Sequence, residues 1–146
     1  VRLAKDFDNI VAIKEACGDM VQINEIIKDA PSNFLVISGD DFTALSTVFA
    51  GGAGVISVLG QGLPEEFSKM IKAGLDGDIA TANELHYAMQ EGMDLIFQEG
   101  NPAGIKTIFE TLGLSFAIVR LPLIEASVAL KTKIRFFIRN FEKEIA

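Results

Sequence analysis

The sequence predicts an α/β fold: three parallel strands alternating with helices, then a wholly helical segment. Three observations predict it. Apolar runs at Ile10–Ile13, Phe34–Ile37 and Gly54–Val58 are each followed by a helical pattern. The loops between them are short, which demands parallel strands with right-handed crossovers. From Ile79 onward the alternation stops, and every apolar pattern has helical spacing.

Taken in order, Leu3 and Phe7 stand at i, i+4 in an opening helix. The first strand lies between polar Asn9 and Gly18 and carries Lys14 at its end. As a near-continuous apolar run it is expected to be buried on both faces. Asp19 can cap the next helix, with Gln22 three residues on as in a capping box. Met20, Ile23, Ile27 and Ala30, broadened by Ile26, form its apolar face. Pro31-Ser32-Asn33 stops it. The second strand ends at Ser38-Gly39-Asp40-Asp41, where Asp40 or Asp41 is expected to cap a helix faced by Phe42, Leu45, Val48 and Phe49. Gly51-Gly52 ends that helix. The third strand runs into Leu59-Gly60-Gln61-Gly62. Pro64, Glu65 and Glu66 suit the first turn of a helix whose Phe67, Met70 and Ile71 face inward. Asp76-Gly77-Asp78 is a turn.

Beyond it, Ala82, Leu85, Met89, Met93, Ile96 and Phe97 line a long helix ended by Gly100. Asn101 is expected to cap, and Pro102 to open, a helix carrying Ile105, Ile108, Phe109 and Leu112, stopped by Gly113. Arg120-Leu121-Pro122-Leu123 is a rigid connector. A last helix with Ile124, Val128, Ile134, Phe137, Ile138 and Phe141 on one face is expected to reach the C-terminus.

Composition narrows the function. The 146 residues, 49% hydrophobic and 23% charged, describe a globular chain with a real core. A net charge of -7 argues against nucleic-acid binding, which needs a basic face. No apolar run reaches the ~18 residues of a membrane span, and the N-terminus carries no signal-peptide pattern. The one cysteine, Cys17, cannot form an intramolecular disulfide and fits a reducing cytoplasm. With His86 the only histidine, no zinc site is expected, and no cofactor. The chain begins without Met and inside a helix, so it is expected to be a piece of a longer polypeptide.

Three parallel strands cannot close a barrel, and a doubly wound sheet of three strands would be small for this much apolar sequence. Short loops and near-continuous apolar strands fit the C-terminal part of a TIM (β/α)8 barrel, residues 1–78, followed by a C-terminal helical domain, residues 79–146. Active sites of such barrels lie at the C-terminal strand ends, where Lys14, Gly39 and Ile56 fall. Strand alternation puts Ile10, Ala12, Lys14 and Ala16 on one face and Val11, Ile13 and Glu15 on the other. Beside small alanines, a lysine in a dry site would have a lowered pKa and a nucleophilic neutral amine. The alternative is a strand-end lysine that snorkels to water.

The ordered set Asn9-Ile10-Val11-Ala12-Ile13-Lys14-Glu15-Ala16, Ser38-Gly39-Asp40-Asp41, Gly51-Gly52, Gly54-Val55-Ile56-Ser57-Val58, Glu99-Gly100-Asn101-Pro102 and Arg120-Leu121-Pro122-Leu123 resembles the dihydrodipicolinate synthase family, which includes N-acetylneuraminate lyase. The resemblance covers essentially the whole chain. It implies a class I aldolase-type barrel, a lyase, in which Lys14 forms a Schiff base with pyruvate and the resulting enamine attacks an aldehyde. In the synthase branch, which the last two motifs favour, the aldehyde is L-aspartate 4-semialdehyde. The product is 4-hydroxy-tetrahydrodipicolinate, in lysine biosynthesis by the diaminopimelate route. By the same resemblance Ile56 presents its main-chain carbonyl to the pocket, and Gly39 lines it. A homotetramer is implied as well. Other sugar-acid aldolases of the family, or a non-catalytic half-barrel scaffold, are the alternatives.

The family's tyrosine proton relay, its Gly-Thr-Thr-Gly-type carboxylate loop and its aldehyde-gripping arginine have no match here. The only tyrosine, Tyr87, lies in the helical part, and Arg2 does not fit the arginine's motif. Those parts are expected from a missing N-terminal barrel segment, without which the chain should not catalyse condensation.

Other residues admit plainer readings. Glu15 is expected to be structural, Cys17 a small buried residue, His86 a packing or surface residue, and Met89 and Met93 core. Gly60-Gln61-Gly62 is either a flexible rim or a phosphate loop.

Overall fold

A computed structural model describes the fold of residues 1–144 and the side chains of residues 1–141. A one-turn helix, α1 (Arg2–Asp6), leads into β1 (Ala12–Glu15), α2 (Met20–Asp29), β2 (Leu35–Ser38), α3 (Ala44–Phe49), β3 (Gly54–Val55) and α4 (Pro64–Asp76). The strands form one parallel sheet in the order β1-β2-β3, as the alternation predicts. Lys14 stands opposite Ile37 and Glu15 opposite Ser38; Ile37 stands opposite Gly54 and Ser38 opposite Val55.

The sheet is covered on one face only. Val36 and Ser38 are buried under the helices, whereas Leu35 and Lys14, on the opposite face, are exposed. The expected two-sided burial of the first strand is therefore corrected. Parallel strands place alternate residues on opposite faces, and the crossover helices of this chain pack on the Val36–Ser38 side. The face bearing Lys14 and Ile37 is left open.

Helix ends follow local chemistry in part. Asp19 caps α2 by accepting from Val21 N at 2.9 Å. Gln22 does not complete the capping box. Its Nε2 donates to Glu15 Oε2 at 2.8 Å, and Asp19 N turns to the Cys17 sulfur at 3.3 Å. On α3 the buried residues are Ala44, Leu45, Thr47 and Val48, while Phe42 and Phe49 are exposed. Pro64 opens α4 and Gly77 closes it with φ +81°, a left-handed conformation that glycine adopts without strain.

The helical part comprises α5 (Ile79–Leu95), α6 (Ala103–Thr111) and α7 (Val128–Glu144). Asp78 caps α5 through Thr81 N at 3.1 Å. Asn101 does not cap α6; Pro102 occupies that position after a cis peptide bond. The last helix starts at Val128, four residues later than its apolar pattern suggests, because Ser127 accepts from Leu130 N at 3.1 Å and caps there. Ile124 and Val128 are exposed in consequence. Residues 145 and 146, which the expected C-terminal helix would include, lie outside the described residues. No described helix is long and apolar enough to cross a membrane.

One apolar cluster joins α3, a 3-10 turn at Leu59–Gln61, and α4 through α7. Leu59, Met70, Met89, Met93, Ile96, Ile108 and Ile134 are fully buried in it. Of the strands, only Val55 of β3 packs on its border. At Gly104 the backbone of α6 comes against α5 so closely that a Cβ would fall on the Cα and carbonyl oxygen of Ile96.

This contact gives a test of the packing. Gly104→Ala gains about 1 kcal/mol of helix propensity. It is opposed by overpacking of about 1–3 kcal/mol, because the clash is with backbone that no rotamer change relieves. A net fall in the urea midpoint is expected. An unchanged or raised midpoint would contradict the close approach of α5 and α6.

Candidate functional site

The three strand ends singled out in the sequence come together. Gly39 N donates to Glu15 O at 2.6 Å, which extends the β1–β2 ladder past Ser38 and sets Gly39 beside Ala16. Ile56 N donates to Ser38 O at 2.9 Å, so β3 continues to pair for one residue beyond Val55. Val55 packs on the core, so alternation turns Ile56 to the open face, where it is 52% exposed.

Lys14 lies on that same face. Its alkyl chain crosses directly over Gly39: a Cβ there would stand 2.5 Å from Lys14 Cε and 2.7 Å from Ala16 Cβ. Only a residue without a side chain leaves that path clear. Lys14 itself is exposed, so the dry surroundings expected for it are not supplied by the described residues. Nor does any described carboxylate form an ion pair with it. The arrangement is a primary amine laid across a bare backbone, open to an incoming carbonyl compound. A groove of about 500 Å³ runs beside β3, lined by Ile37, Gly54, Ile56, Ser57 and Gln61 with Phe67 of α4. It reaches Ile56 but not Lys14.

The Ser38-Gly39-Asp40-Asp41 turn divides its two carboxylates. Asp40 Oδ2 accepts from Thr43 N at 2.9 Å and Thr43 Oγ1 at 2.7 Å, the local role expected of a cap. Asp41 does not cap α3. It is 1% exposed and accepts from Val58 N at 3.1 Å and Leu59 N at 2.8 Å, at the end of the third strand. Periodicity carries no signal for a bond that spans 17 residues; the doubled aspartate is its only trace.

These bonds also decide the fate of Gly60-Gln61-Gly62. The segment is a 3-10 turn, not a loose rim. Gly60 N donates to Ser57 Oγ, Gln61 N to Val58 O and Gly62 N to Leu59 O. With Val58 and Leu59 held by Asp41, every amide from 58 to 62 is committed, and none is free for a phosphate.

Behind the sheet end, Glu15 accepts from Cys17 N at 2.7 Å and from Gln22. Cys17, through its thiol and then its amide, holds the Glu15 carboxyl below the usual range. In return the Glu15 carboxylate pushes the Cys17 thiol up. Cys17 is exposed, not buried as expected, because its sulfur serves the Asp19 and Gln22 N–H groups at the surface. His86 is half-buried with no partner for Nδ1 among the described residues, burial lowers its pKa, and its ring meets Tyr87 edge-on at 5.7 Å. Tyr87 sits on α5, 67% exposed. Met89 and Met93 are core.

A family model described as the dihydrodipicolinate synthetase family matches residues 1–140. The chain is 48% identical over 143 residues to a 4-hydroxy-tetrahydrodipicolinate synthase of Flavobacterium psychrophilum, covering 98% of this chain and 49% of that protein. It is 43% identical over 142 residues to the Phocaeicola vulgatus protein of the same name, covering 97% and 48%. Its structure matches that of the dihydrodipicolinate synthase of Aquifex aeolicus with a TM-score of 0.92 and 38% identity, covering 97% and 48% of the two chains. The chain thus spans about half the length of the relatives it matches.

The Glu15–Cys17 pair yields a pH-dependent expectation. A thiol raised by a neighbouring carboxylate alkylates slowly at neutral pH, since the thiolate is the nucleophile. Glu15→Gln removes that carboxylate, so its alkylation profile should move to lower pH and its neutral-pH rate should rise. Iodoacetamide labelling followed by mass spectrometry reads this out. Superimposable profiles would show that Glu15 does not act on the thiol.

Proposed function

The chain belongs to the dihydrodipicolinate synthetase family, and from that premise we propose that it supplies the Schiff-base lysine, Lys14, of a pyruvate-dependent synthase. The observation that carries the reading is the Lys14 side chain laid over Gly39, with Ile56 at the next strand end.

The chemistry follows from the amine. The neutral Lys14 nitrogen adds to the keto carbon of pyruvate, and a C–N bond forms as the oxygen takes up a proton. The carbinolamine hydroxyl takes a second proton and departs as water, leaving an iminium. The iminium withdraws electrons from the pyruvate methyl. A methyl proton passes to a base, and the C–H pair becomes the enamine. Its terminal carbon attacks the aldehyde carbon of L-aspartate 4-semialdehyde; the new C–C bond forms as the C=O π pair moves to oxygen, which takes up a proton and becomes the 4-hydroxyl. The substrate's own amino group then displaces Lys14 nitrogen, and the ring closes to 4-hydroxy-tetrahydrodipicolinate, a step of lysine biosynthesis. Gly39 leaves room for the lysine and the bound keto acid, and Ile56 offers its main-chain carbonyl.

In this reading residues 1–78 are the last three βα units of the barrel and residues 79–146 the helical domain. A further barrel segment supplies the tyrosine proton relay and the carboxylate-binding loop, for which Tyr87 on α5 is no substitute. Its strands would pair with β1 and β3, the two edges of the sheet, and would remove water from around Lys14. Such burial is what a nucleophilic lysine requires. Exposed Leu114, Phe116, Ile118, Leu121, Ile124 and Val128 suit contacts with that segment or between subunits of a tetramer. Free Cys17 suits the cytoplasm.

The test joins this chain to the first half of the Flavobacterium psychrophilum relative and adds pyruvate with borohydride. A reduced pyruvate adduct on Lys14 is expected by peptide mapping, together with condensation activity that Lys14→Ala lowers by on the order of 10⁴-fold or more. The 146-residue chain alone should not turn over. Absence of any Lys14 adduct in the joined protein would sink the proposal and favour a scaffold role.

A further inference from the structure

We infer that Asp41 is a positioning residue that aims the main-chain carbonyl of Ile56 at the chemistry on Lys14. The inference rests on the Schiff-base reading and adds to it a residue that never touches substrate.

Ile56 is gripped from both sides by the end of β2. On its N-terminal side, its own N–H donates to Ser38 O at 2.9 Å. On its C-terminal side, both carboxylate oxygens of Asp41 receive Val58 N, at 3.1 and 3.2 Å, and Oδ2 also receives Leu59 N at 2.8 Å. The two grips share one base. Ser38 Oγ donates to Asp40 O at 2.8 Å and accepts from Asp40 N at 3.2 Å, which sets the turn that delivers Asp41. Ser38 is fully buried and Asp41 is 1% exposed, so neither grip competes with water. Leu59, at the far end, is fully buried in the main core and cannot move to accommodate a slack carboxylate.

Between these anchors the Ile56 carbonyl oxygen receives no hydrogen bond from any described residue. It is a free acceptor with a fixed backbone, two residues before the amide that Asp41 holds. Such an acceptor at the strand ends can accept a hydrogen bond from the carbinolamine hydroxyl or face the iminium charge, but only while its direction is held. A plain cap of the 3-10 turn would place no such demand, since Asn or Ser caps as well as Asp. Asp41 differs by serving two successive amides, and so fixes the peptide plane that follows Ser57.

The test uses this chain joined to the first half of the Flavobacterium psychrophilum relative. Borohydride trapping with saturating pyruvate counts the sites able to form the Schiff base, and turnover is then expressed per trapped site. Asp41→Asn keeps the side-chain volume but turns an N–H₂ toward the Val58 and Leu59 amides. It should lower turnover per trapped site by about 10²-fold, the scale of a small misplacement at a reacting centre, with little change in KM for pyruvate. Ser38→Ala leaves the carboxylate and loosens only its mount; it should move turnover per site in the same direction by less, and it keeps the test alive should Asp41→Asn fail to fold. Asp78→Ala, which removes a helix cap on α5 far from the strand ends, should lower the melting temperature without changing turnover per site. If the folded Asp41 and Ser38 variants retain unreduced turnover per trapped site, the positioning role is overturned while the Schiff-base reading stands. If the unsubstituted protein traps no pyruvate, both fall together.

Discussion

The buried carboxylate of Asp41 is the interaction on which the rest of this structure turns. It joins the end of β2 to the residues that follow β3, and those residues lead straight into the core. Leu59, whose amide it holds, is fully buried among α4, α5 and α7, close enough to α5 that a Cβ on Gly92 would touch it. The link therefore ties the sheet, where the chemistry is proposed, to the helical mass that carries the stability. A residue there with no acceptor would leave two backbone N–H groups buried without a partner, at about 1–3 kcal/mol each.

That link matters because the main apolar cluster meets the sheet only at its border. The main cluster is assembled from α3 through α7, and the strands border it only at Val55. One sheet face is covered and the other open, with Leu35 and Lys14 in water. Position at the strand ends is maintained by directed bonds instead: Gly39 N to Glu15 O, Ile56 N to Ser38 O, Val58 and Leu59 N to Asp41. Hydrogen bonds fix direction in a way that non-directional burial cannot. A surface that must present an amine and a carbonyl at set angles is served better by the former.

Much of this was legible in the sequence, for reasons that also mark the limit. Strand and helix alternation is a local signal, so the order of β1 to β3 and α2 to α7 could be read directly. The meeting of Lys14, Gly39 and Ile56 followed from topology, because parallel strands with short crossovers bring their C-terminal ends together. What the periodicity could not carry is exposure and destination. Phe42, Phe49 and Ile124 look like core residues by spacing, yet they face outward, since which side of an element is covered depends on what packs there. Cys17 looks like a small core residue until Asp19 and Gln22 claim its sulfur at the surface. Asp41 looks like a helix cap beside Asp40, and only the fold decides that one carboxylate stays local while its neighbour reaches residue 59.

The same geometry bears on the order in which the proposed site becomes competent. Gly39 and Lys14 meet through β1 and β2 alone, and Ile56 is placed by β2 and the core, so three elements of this chain set their mutual positions. Exclusion of water is a separate matter. Nothing among the described residues covers the Lys14 face, and a nucleophilic lysine is served by a site that excludes water. Position and dryness therefore come from different sources: the first from backbone bonds within this chain, the second from whatever closes the open face. A carbonyl acceptor aimed in advance costs no reorganisation when that face closes. On this argument the fixed peptide at Ile56 is of most use in a site whose other wall arrives separately.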